Sequence, residues 1–244
     1  MSVPTTTLND GVVIPQLGFG TWQVPADEAE KAVSAALEAG FRHIDTAAIY
    51  DNEEGVGRAL AASGLDRKDL FITTKLWNDA HHANDARKAI ETSLSKLGLD
   101  HIDLYLIHWS QPEKGKYLET WKAFQEIKAS GKARSIGVSN FTEQALQDVL
   151  DTGVVPAAHQ IELHPYFNQQ ALRELGAQHG IVTEAWSPLA QGNVLEDPQL
   201  VALAEQLGKS VSQVVLRWVL QRGDVVFPKS MKRERIEQNL DVFD

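Results

Sequence analysis

The chain of 244 residues has 33 acidic and 23 basic side chains, which gives a net charge of −10. A field of this sign repels nucleic acid and anionic membrane surfaces, and no stretch approaches the roughly 20 apolar residues of a membrane span. There are no cysteines, which excludes disulfides and thiolate metal sites. Without a basic and apolar leader at its start, the chain is predicted to be cytoplasmic. Its negative charge predicts that it has no nucleic-acid or membrane partner, and since no long exposed apolar stripe is evident it is expected to be a monomer.

The chain opens with a hairpin pattern and then alternates between short apolar runs and amphipathic helical patterns. Asn9, Asp10 and Gly11 provide turn chemistry between "TTTL" and "VVIP". The alternation that follows predicts a parallel sheet. The runs with strand character are "QLGFG", "FRHIDTA", "LFITTKL", "IDLYLIH", "RSIGVS", "AAHQIEL", "IVTEAWS" and "VVFPKS".

The number of predicted strands decides between two architectures. An open doubly wound sheet is possible on pattern alone, whereas eight strands in a chain of this length favour a (β/α)8 barrel. The N-terminal hairpin is then expected to cover the bottom of the barrel. Because no linker or change in composition divides the sequence, residues 1–244 are predicted to form a single domain.

Three successive predicted strands end in an ionisable residue. Asp45 follows "FRHI", Lys75 follows "LFITT" and His108 follows "IDLYLI", while Tyr50 lies in the loop after the first of these strands. Taken singly, these residues are explained by a turn cap, a solvent-exposed lysine, a buried imidazole and a packing tyrosine. The carboxyl ends of barrel strands meet at one mouth, however, where four such groups are costly to desolvate unless they compensate one another. This convergence favours a catalytic cluster.

The predicted cluster suits proton donation to a carbonyl oxygen. Tyrosine, with an ordinary pKa of ~10, is a poor acid near neutral pH. We expect the ammonium of Lys75 to lower the pKa of Tyr50, Asp45 to hold Lys75 charged, and neutral His108 to orient the substrate oxygen. Since none of these groups is a hydride source, the cluster predicts carbonyl reduction with a cofactor that supplies the hydride.

Two familiar phosphate-binding loops are incomplete in this sequence. "LGFGTWQ" has Gln23 in place of the third glycine of a dinucleotide loop, and "LAEQLGKS" has Leu203 in place of the first glycine of a P-loop. The better candidate is "FPKSMKRERIEQN", where a strand end meets a helix start and positive charge is supplied by Lys229, Lys232, Arg233 and Arg235. An extra phosphate there favours NADPH over NADH, although the interspersed glutamates are also compatible with a solvated helix face.

Two other functions stay open at this stage. His81 and His82, together with Asp79, are the candidate ligands of a metal-dependent hydrolase, but adjacent histidines rarely face one ion and a surface loop is the simpler interpretation. The second alternative is a sensor or regulatory protein that binds NADPH with little turnover.

Several segments of the sequence resemble the aldo-keto reductases, most closely the bacterial 2,5-diketo-D-gluconate reductase branch. They are "GFGTW", "HIDTAAIYDNEEGVG", "ITTKLWN", "DLYLIHW", "GVSNF", "QIELHPY" and "FPKSMKRERIEQN". The resemblance implies a (β/α)8 barrel and NADPH-dependent reduction of an aldehyde, a ketone or a keto sugar such as 2,5-diketo-D-gluconate. It also implies a tetrad of Asp45, Tyr50, Lys75 and His108, in which Tyr50 is the acid.

The same resemblance implies the cofactor and substrate residues. Ser139, Asn140 and Gln160 would hold the nicotinamide carboxamide, and Trp186, followed by Ser187, would stack on the ring. The other implied cofactor residues are Leu189, Gln191 and Gly192 along the pyrophosphate, Lys229, Ser230 and Arg235 at the 2'-phosphate, and Gln238 and Asn239 at the adenine. The implied walls of the substrate pocket are Trp22, Ala47, Ile49, Trp77 and Trp109.

Two departures from the family pattern carry expectations of their own. Ser110 stands where the family usually has proline, which is expected to loosen a loop at the pocket wall. The sequence also ends at "NLDVFD", whereas family members continue into a helix and a loop that close over the substrate. The closing segment is therefore expected to be absent from these 244 residues, and the pocket to be open if the natural protein ends at Asp244; a truncated chain is the simpler alternative.

Overall fold

The first element of the fold is an antiparallel hairpin. The structure, a computed structural model, describes residues 3–243. Strands β1 (Thr5–Thr7) and β2 (Val13–Pro15) pair with Thr6 opposite Ile14. Gly11 takes the left-handed conformation at φ +86° in the turn between them, where a side chain would be strained. The hairpin predicted from the turn residues is thereby confirmed.

Eight parallel strands follow the hairpin, and they pair in the order in which they occur in the chain. They are β3 (Phe19–Gly20), β4 (His43–Asp45), β5 (Phe71–Leu76), β6 (Ile102–Ile107), β7 (Ala133–Ser139), β8 (Ala158–Glu162), β9 (Val182–Trp186) and β10 (Val225–Val226). Just before β3, the amide of Gly18 donates to Val226 O at 2.9 Å, and the amide of Val226 donates to Gln16 O at 2.8 Å. The sheet therefore returns to its own first strand, which confirms the barrel and excludes the open sheet.

Helices cover the outside of the barrel. They are α1 (Ala29–Ala39), α2 (Glu53–Ala62), α3 (Ala83–Leu97), α4 (Tyr117–Ala129), α5 (Glu143–Leu150), α6 (Gln170–Gln178), α7 (Pro198–Leu207), α8 (Val211–Gln221) and α9 (Arg233–Leu240). Helix α3 illustrates why they form, since Ala86, Ile90, Leu94 and Leu97 recur on one buried face. Among residues 3–243, no helix has the length and apolar character needed to cross a membrane.

The hairpin lies against the amino-terminal ends of the barrel strands. Leu8 and Ile14 are buried in one apolar cluster with Phe71 and Val225, the first residues of β5 and β10. Burial of each such side chain contributes about 1.5–3 kcal/mol. Asn9 Nδ2 also donates to the carbonyl oxygen of Pro156, ahead of β8, at 2.8 Å. These contacts confirm that the hairpin covers the bottom of the barrel, so the opposite end is the open mouth.

Candidate active site

The four residues predicted to form a catalytic cluster lie together at the mouth of the barrel. Asp45 is the last residue of β4, Lys75 is the penultimate residue of β5, and His108 follows β6 directly. Tyr50 ends a short 3₁₀ turn, Ala48–Tyr50, in the loop after β4. Because neighbouring parallel strands end at the same level, the sheet itself brings these side chains together.

Lys75 is a fully buried cation with fixed partners. Its Nζ donates to Asp45 Oδ1 at 2.6 Å and to the carbonyl oxygen of Thr46 at 2.9 Å. Burial lowers the pKa of Lys75, but the charge of and hydrogen bond to Asp45, together with the charges of Tyr50 and Glu184, outweigh it, so the pKa lies above its ordinary value. The side chain therefore stays an ammonium group at neutral pH and fixes one positive charge beneath the mouth.

Tyr50 lies beside this charge. Lys75 Nζ is 5.2 Å from the centre of the Tyr50 ring, and the ring of His108 meets it edge-on with centres 5.8 Å apart. Burial raises the pKa of Tyr50 more than the charge of Lys75 lowers it, so the pKa lies above its ordinary value. The expectation that Lys75 lowers the pKa of Tyr50 below the ordinary value is therefore wrong in its net direction, although the lysine does oppose the effect of burial.

His108 is neutral in this site. Burial, assisted by the positive charge of Lys75, lowers the pKa of His108 to about 3. The Trp77 ring packs edge-on against the imidazole, with ring centres 5.1 Å apart. Near neutral pH the imidazole carries no proton that it can give up as an acid, but it can still form hydrogen bonds. Within the cluster, Tyr50 is therefore the better proton donor.

Asn140 connects the end of β7 to the aromatic residue at the end of β9. It takes the left-handed conformation at φ +55°, which asparagine tolerates better than most residues. Its Nδ2 donates to the carbonyl oxygen of His108 at 3.1 Å, while its Oδ1 accepts from Trp186 Nε1 at 2.8 Å. The amide thus fixes the plane of the Trp186 indole at the mouth.

Gln160 and Glu184 extend the polar cluster under the mouth. Gln160 Nε2 donates to Asp45 Oδ2 at 2.8 Å and to Glu184 Oε2 at 3.2 Å. Glu184 is fully buried in β9, and burial together with the nearby charge of Asp45 raises its pKa to about 8. Glu184 was not predicted from the sequence, although an acidic residue inside the apolar run "IVTEAW" is a signal of a buried functional group.

Asn52 is a second residue that sequence analysis missed. Its buried side-chain amide donates to Thr21 O at 2.9 Å and to Val24 O at 3.0 Å, and it accepts from Thr46 Oγ1 at 2.9 Å. These bonds join the loop after β3, which holds Trp22, to the loop after β4, which holds Tyr50. No local pattern in the sequence points to this role, because the partners lie in separate loops.

One cavity of about 830 Å³ runs across the mouth from the cluster to the basic segment. The predicted site residues that line it are Trp22, Asp45, Ile49, Tyr50, Trp77, His108, Trp109, Ser139, Asn140, Gln160, Trp186, Ser187, Leu189, Gln191, Gly192, Lys229 and Arg235. Gly20, Gln23, Pro188, Phe227 and Pro228 also line it but were not predicted. The cavity thus joins the cluster of Asp45, Tyr50 and His108 to a cationic end at Lys229 and Arg235.

The remaining predicted residues lie outside the cavity lining. Lys75 and Ala47 are fully buried behind it. Ser230 and Asn239 are buried near the ends of the basic segment, and Gln238 is exposed on α9. Lys75 still belongs to the cluster, because its bond to Asp45 connects it to the residues of the lining.

The charges of the basic segment divide into two groups. Arg233 pairs with Glu38 at 2.8 Å and with Glu237 at 3.0 Å, as expected for a solvated helix face. Lys229 and Arg235 line the cavity instead, and neither forms an ion pair within residues 3–243. The solvated-face interpretation therefore fits Arg233, whereas Lys229 and Arg235 are available to an anion.

The histidines considered as metal ligands do not form a metal site. His82 is exposed and lies 3.7 Å from the Glu119 carboxylate. His81 is buried, so the surface interpretation is wrong for this residue, and neither of its ring nitrogens has a hydrogen-bond partner in the described part of the chain. Residues 3–243 contain no group of three or more potential ligands placed to hold a metal ion, which leaves the metal-hydrolase alternative without support.

Fold and site together define a parallel barrel enzyme with a cluster of ionisable side chains at one end of a long, partly cationic cavity. The sequence matches the model of the aldo/keto reductase family over residues 16–244. The chain belongs to the aldo/keto reductase family and is an oxidoreductase, which confirms the resemblance drawn from its motifs.

Known relatives and solved structures agree with this assignment. Methylglyoxal reductase DkgA of Yersinia pestis is 51% identical over 244 residues, which cover 99% of this chain and 87% of the relative. The crystal structure of an aldo/keto reductase from Brucella melitensis is 54% identical with a TM-score of 0.96, and the match covers 100% of this chain and 94% of that one. A mutant of Gox0644, solved in complex with NADPH, is 46% identical with a TM-score of 0.96, at 100% and 89% coverage.

Proposed function

We propose that this aldo-keto reductase uses NADPH to reduce a small aldehyde, ketone or keto sugar to the alcohol, with Tyr50 as the proton donor. The observation that carries the proposal is one continuous cavity, which joins the phenol of Tyr50 to Lys229 and Arg235. The complex of Gox0644 with NADPH supports the choice of cofactor. The similarity to methylglyoxal reductase DkgA supports a reactive carbonyl as the substrate.

The residues along the cavity have the chemistry that NADPH requires. Amides at one end, Asn140 and Gln160, match a carboxamide, and the indole of Trp186 offers a flat surface for a ring. At the other end, Lys229 and Arg235 match a phosphate. When bound, NADPH supplies the hydride, and the protein has to supply a proton and a place for the carbonyl.

The protonation states of the cluster fit the proton transfer. Because its pKa lies above the ordinary value, Tyr50 keeps its proton until negative charge develops on the carbonyl oxygen. Once the proton has moved to that oxygen, the Lys75 ammonium stabilises the phenolate that remains, and Asp45 holds Lys75 in place. Neutral His108 orients the carbonyl through a hydrogen bond. Hydride and proton together convert the C=O group to an alcohol.

The side chains that line the mouth indicate which kind of substrate fits it. Trp22, Ile49 and Trp109 are 44%, 44% and 40% exposed, and all three line the cavity. The two flat indoles and the apolar side chain of Ile49 suit a small carbonyl compound or the face of a sugar ring. Methylglyoxal and 2,5-diketo-D-gluconate are therefore the substrates to test first.

The proposal is tested by replacing Tyr50 with phenylalanine. Loss of a general acid is expected to lower kcat by about 10²- to 10⁴-fold, measured as oxidation of NADPH with methylglyoxal or a keto sugar. The Kd for NADPH should stay within about two-fold, because the ring and its packing are kept. Tyr166→Phe is the matched control, since that hydroxyl bonds to Asp197 away from the cavity.

Two outcomes contradict parts of the proposal. If Tyr50→Phe keeps full turnover, Tyr50 is not the acid. If the unmodified protein binds NADPH but oxidises it with no compound in a broad carbonyl panel, the alternative of an NADPH sensor or regulator replaces the reductase.

A further inference from the structure

Glu184 is an acidic residue inside the barrel that the proposed reaction does not use. It occupies the middle of β9, opposite Gln160 in the register of β8 and β9, and is fully buried. Its Oε2 accepts from Gln160 Nε2, and its Oε1 has no hydrogen-bond partner among residues 3–243. An apolar residue would fill this position without the cost of desolvating a carboxyl group, so the acid needs an explanation.

The surroundings of Glu184 favour its neutral form. The charged groups that act on it are Asp45, at the end of β4, and Lys75, on β5. Burial and the charge of Asp45 raise the pKa of Glu184 to about 8, against the opposing effects of Gln160 and Lys75. Near neutral pH the group is therefore a protonated acid whose carbonyl oxygen still accepts a hydrogen bond.

The contacts of Gln160 show what Glu184 holds in place. The carboxylate of Asp45 can only accept hydrogen bonds, so the nitrogen of the Gln160 amide must face it. The same nitrogen donates its second proton to Glu184. With both protons engaged towards the interior, the carbonyl oxygen of Gln160 is the atom left for the cavity that this residue lines. Without Glu184, a single bond to Asp45 would have to fix the amide.

We propose that Glu184 is a positioning residue of the nicotinamide site, which acts through Gln160 by fixing its amide so that the carbonyl oxygen faces the cavity. The inference rests on the proposed function. A carboxamide carries an NH2 group, and an oriented carbonyl oxygen is the acceptor that this group requires. Glu184 thereby affects recognition of the nicotinamide end of the cofactor without touching it, and it should have no effect at the adenine end.

The test compares two ligands across a small set of variants. NADPH and adenosine 2',5'-bisphosphate, which lacks the nicotinamide, are titrated against the protein by isothermal calorimetry. Glu184→Leu should raise the Kd for NADPH by about 5- to 10-fold, the size of one lost hydrogen bond, and leave that of the bisphosphate within about two-fold. Glu184→Gln keeps an acceptor oxygen and should bind both ligands as the unmodified protein does. Thr183→Val, on the same strand, is the control for a change in packing.

A double-mutant cycle tests whether Glu184 acts on NADPH affinity through Gln160. In a Gln160→Leu background, Glu184→Leu should cause no further loss of NADPH affinity, because the residue through which it acts is gone. If Glu184→Leu does not fold, Glu184→Asp serves instead, since it keeps the acid but withdraws the acceptor by one methylene and should show the same selective loss.

Several results would overturn the inference. An unchanged Kd for NADPH in Glu184→Leu, equal weakening of both ligands, or a Glu184→Gln variant as weak as Glu184→Leu each contradict it. Full additivity in the Gln160→Leu background also contradicts it. If the unmodified protein fails to bind NADPH at all, the proposed function itself is wrong, which is a separate outcome.

Discussion

Two buried acidic residues, one at the bottom of the barrel and one under its mouth, differ in the hydrogen bonds and charges that surround them. At the bottom, Asp103 accepts hydrogen bonds from Arg67 at 2.6 Å, from Arg134 at 2.8 Å and from the Ile72 amide at 2.8 Å. Under the mouth, Glu184 has one bond from a neutral amide and an oxygen without a partner in the described chain. The charge of Asp103 is compensated by two cations, whereas Glu184 has no cation bonded to it and stays protonated near neutral pH. This division matches a barrel in which one end provides stability and the other provides chemistry.

The largest effect that can test this comparison is the pH dependence of stability. Below about pH 4.5 both the folded and the unfolded chain hold the proton of Glu184. As the pH rises towards 8, the unfolded chain releases this proton while the folded chain keeps it, so the free energy of unfolding falls. The loss is complete above the folded pKa of about 8 and is on the order of 5 kcal/mol. Glu184→Gln should abolish this contribution.

Urea unfolding of both proteins at about pH 5 and about pH 9 measures the difference. The variant should gain stability relative to the unmodified protein as the pH rises. A difference between the two proteins that does not change with pH would mean that Glu184 is ionised in the folded state throughout, and the contrast between the two ends would be lost.

A smaller effect is expected at the bottom of the barrel. Asp103→Asn breaks a buried charge pair and should lower the free energy of unfolding by about 3 kcal/mol. The turnover number should stay within about two-fold, because the residue lies at the far end from the cavity. Asp66→Asn is the matched control, because Asp66 forms an ion pair with Lys68 in which both side chains are exposed. This substitution should lower the free energy of unfolding by less than about 0.5 kcal/mol. A large loss of turnover in folded Asp103→Asn would contradict the separation of roles.

The smallest effect concerns the fixed indole at the mouth. Trp186→Phe keeps an aromatic ring but removes the hydrogen bond from Nε1 to Asn140. Loss of this bond should weaken NADPH binding by about five-fold, the equivalent of about 1 kcal/mol. Trp218→Phe is the control, because that ring stacks on Arg222 away from the cavity. Calorimetric titration gives both values, and unchanged binding in Trp186→Phe would mean that the bond does not order the ring for the cofactor.

The features predicted correctly from the sequence are those that adjacent residues determine. Strands buried on both faces produce apolar runs, and turn residues mark the hairpin, so the barrel followed from local patterns. The positions of Asp45, Lys75 and His108 followed for the same reason, since each stands at a strand end.

Features that depend on distant parts of the chain could not be predicted in this way. The net pKa of Tyr50 depends on how deeply packing buries it, whereas the sequence shows only that the charge of Lys75 is near. The burial of His81 depends on packing in the same way, and Thr120, on a later helix, hydrogen-bonds its backbone. The contact of Glu184 with Gln160 depends on the register of β8 and β9, which places the two residues opposite each other.

The amide of Asn52 has a consequence for attempts to change which compounds this enzyme accepts. The three hydrogen bonds of Asn52 link the loop around Trp22 to the loop that carries Tyr50, so the two loops are expected to move together. Under the proposed function, in which Tyr50 is the proton donor and Trp22 borders the substrate, redesign of that wall for bulkier molecules should therefore shift the phenol as well, so that substrate selectivity and turnover change together. Variants that keep the three bonds intact are the ones in which the two properties can be adjusted separately.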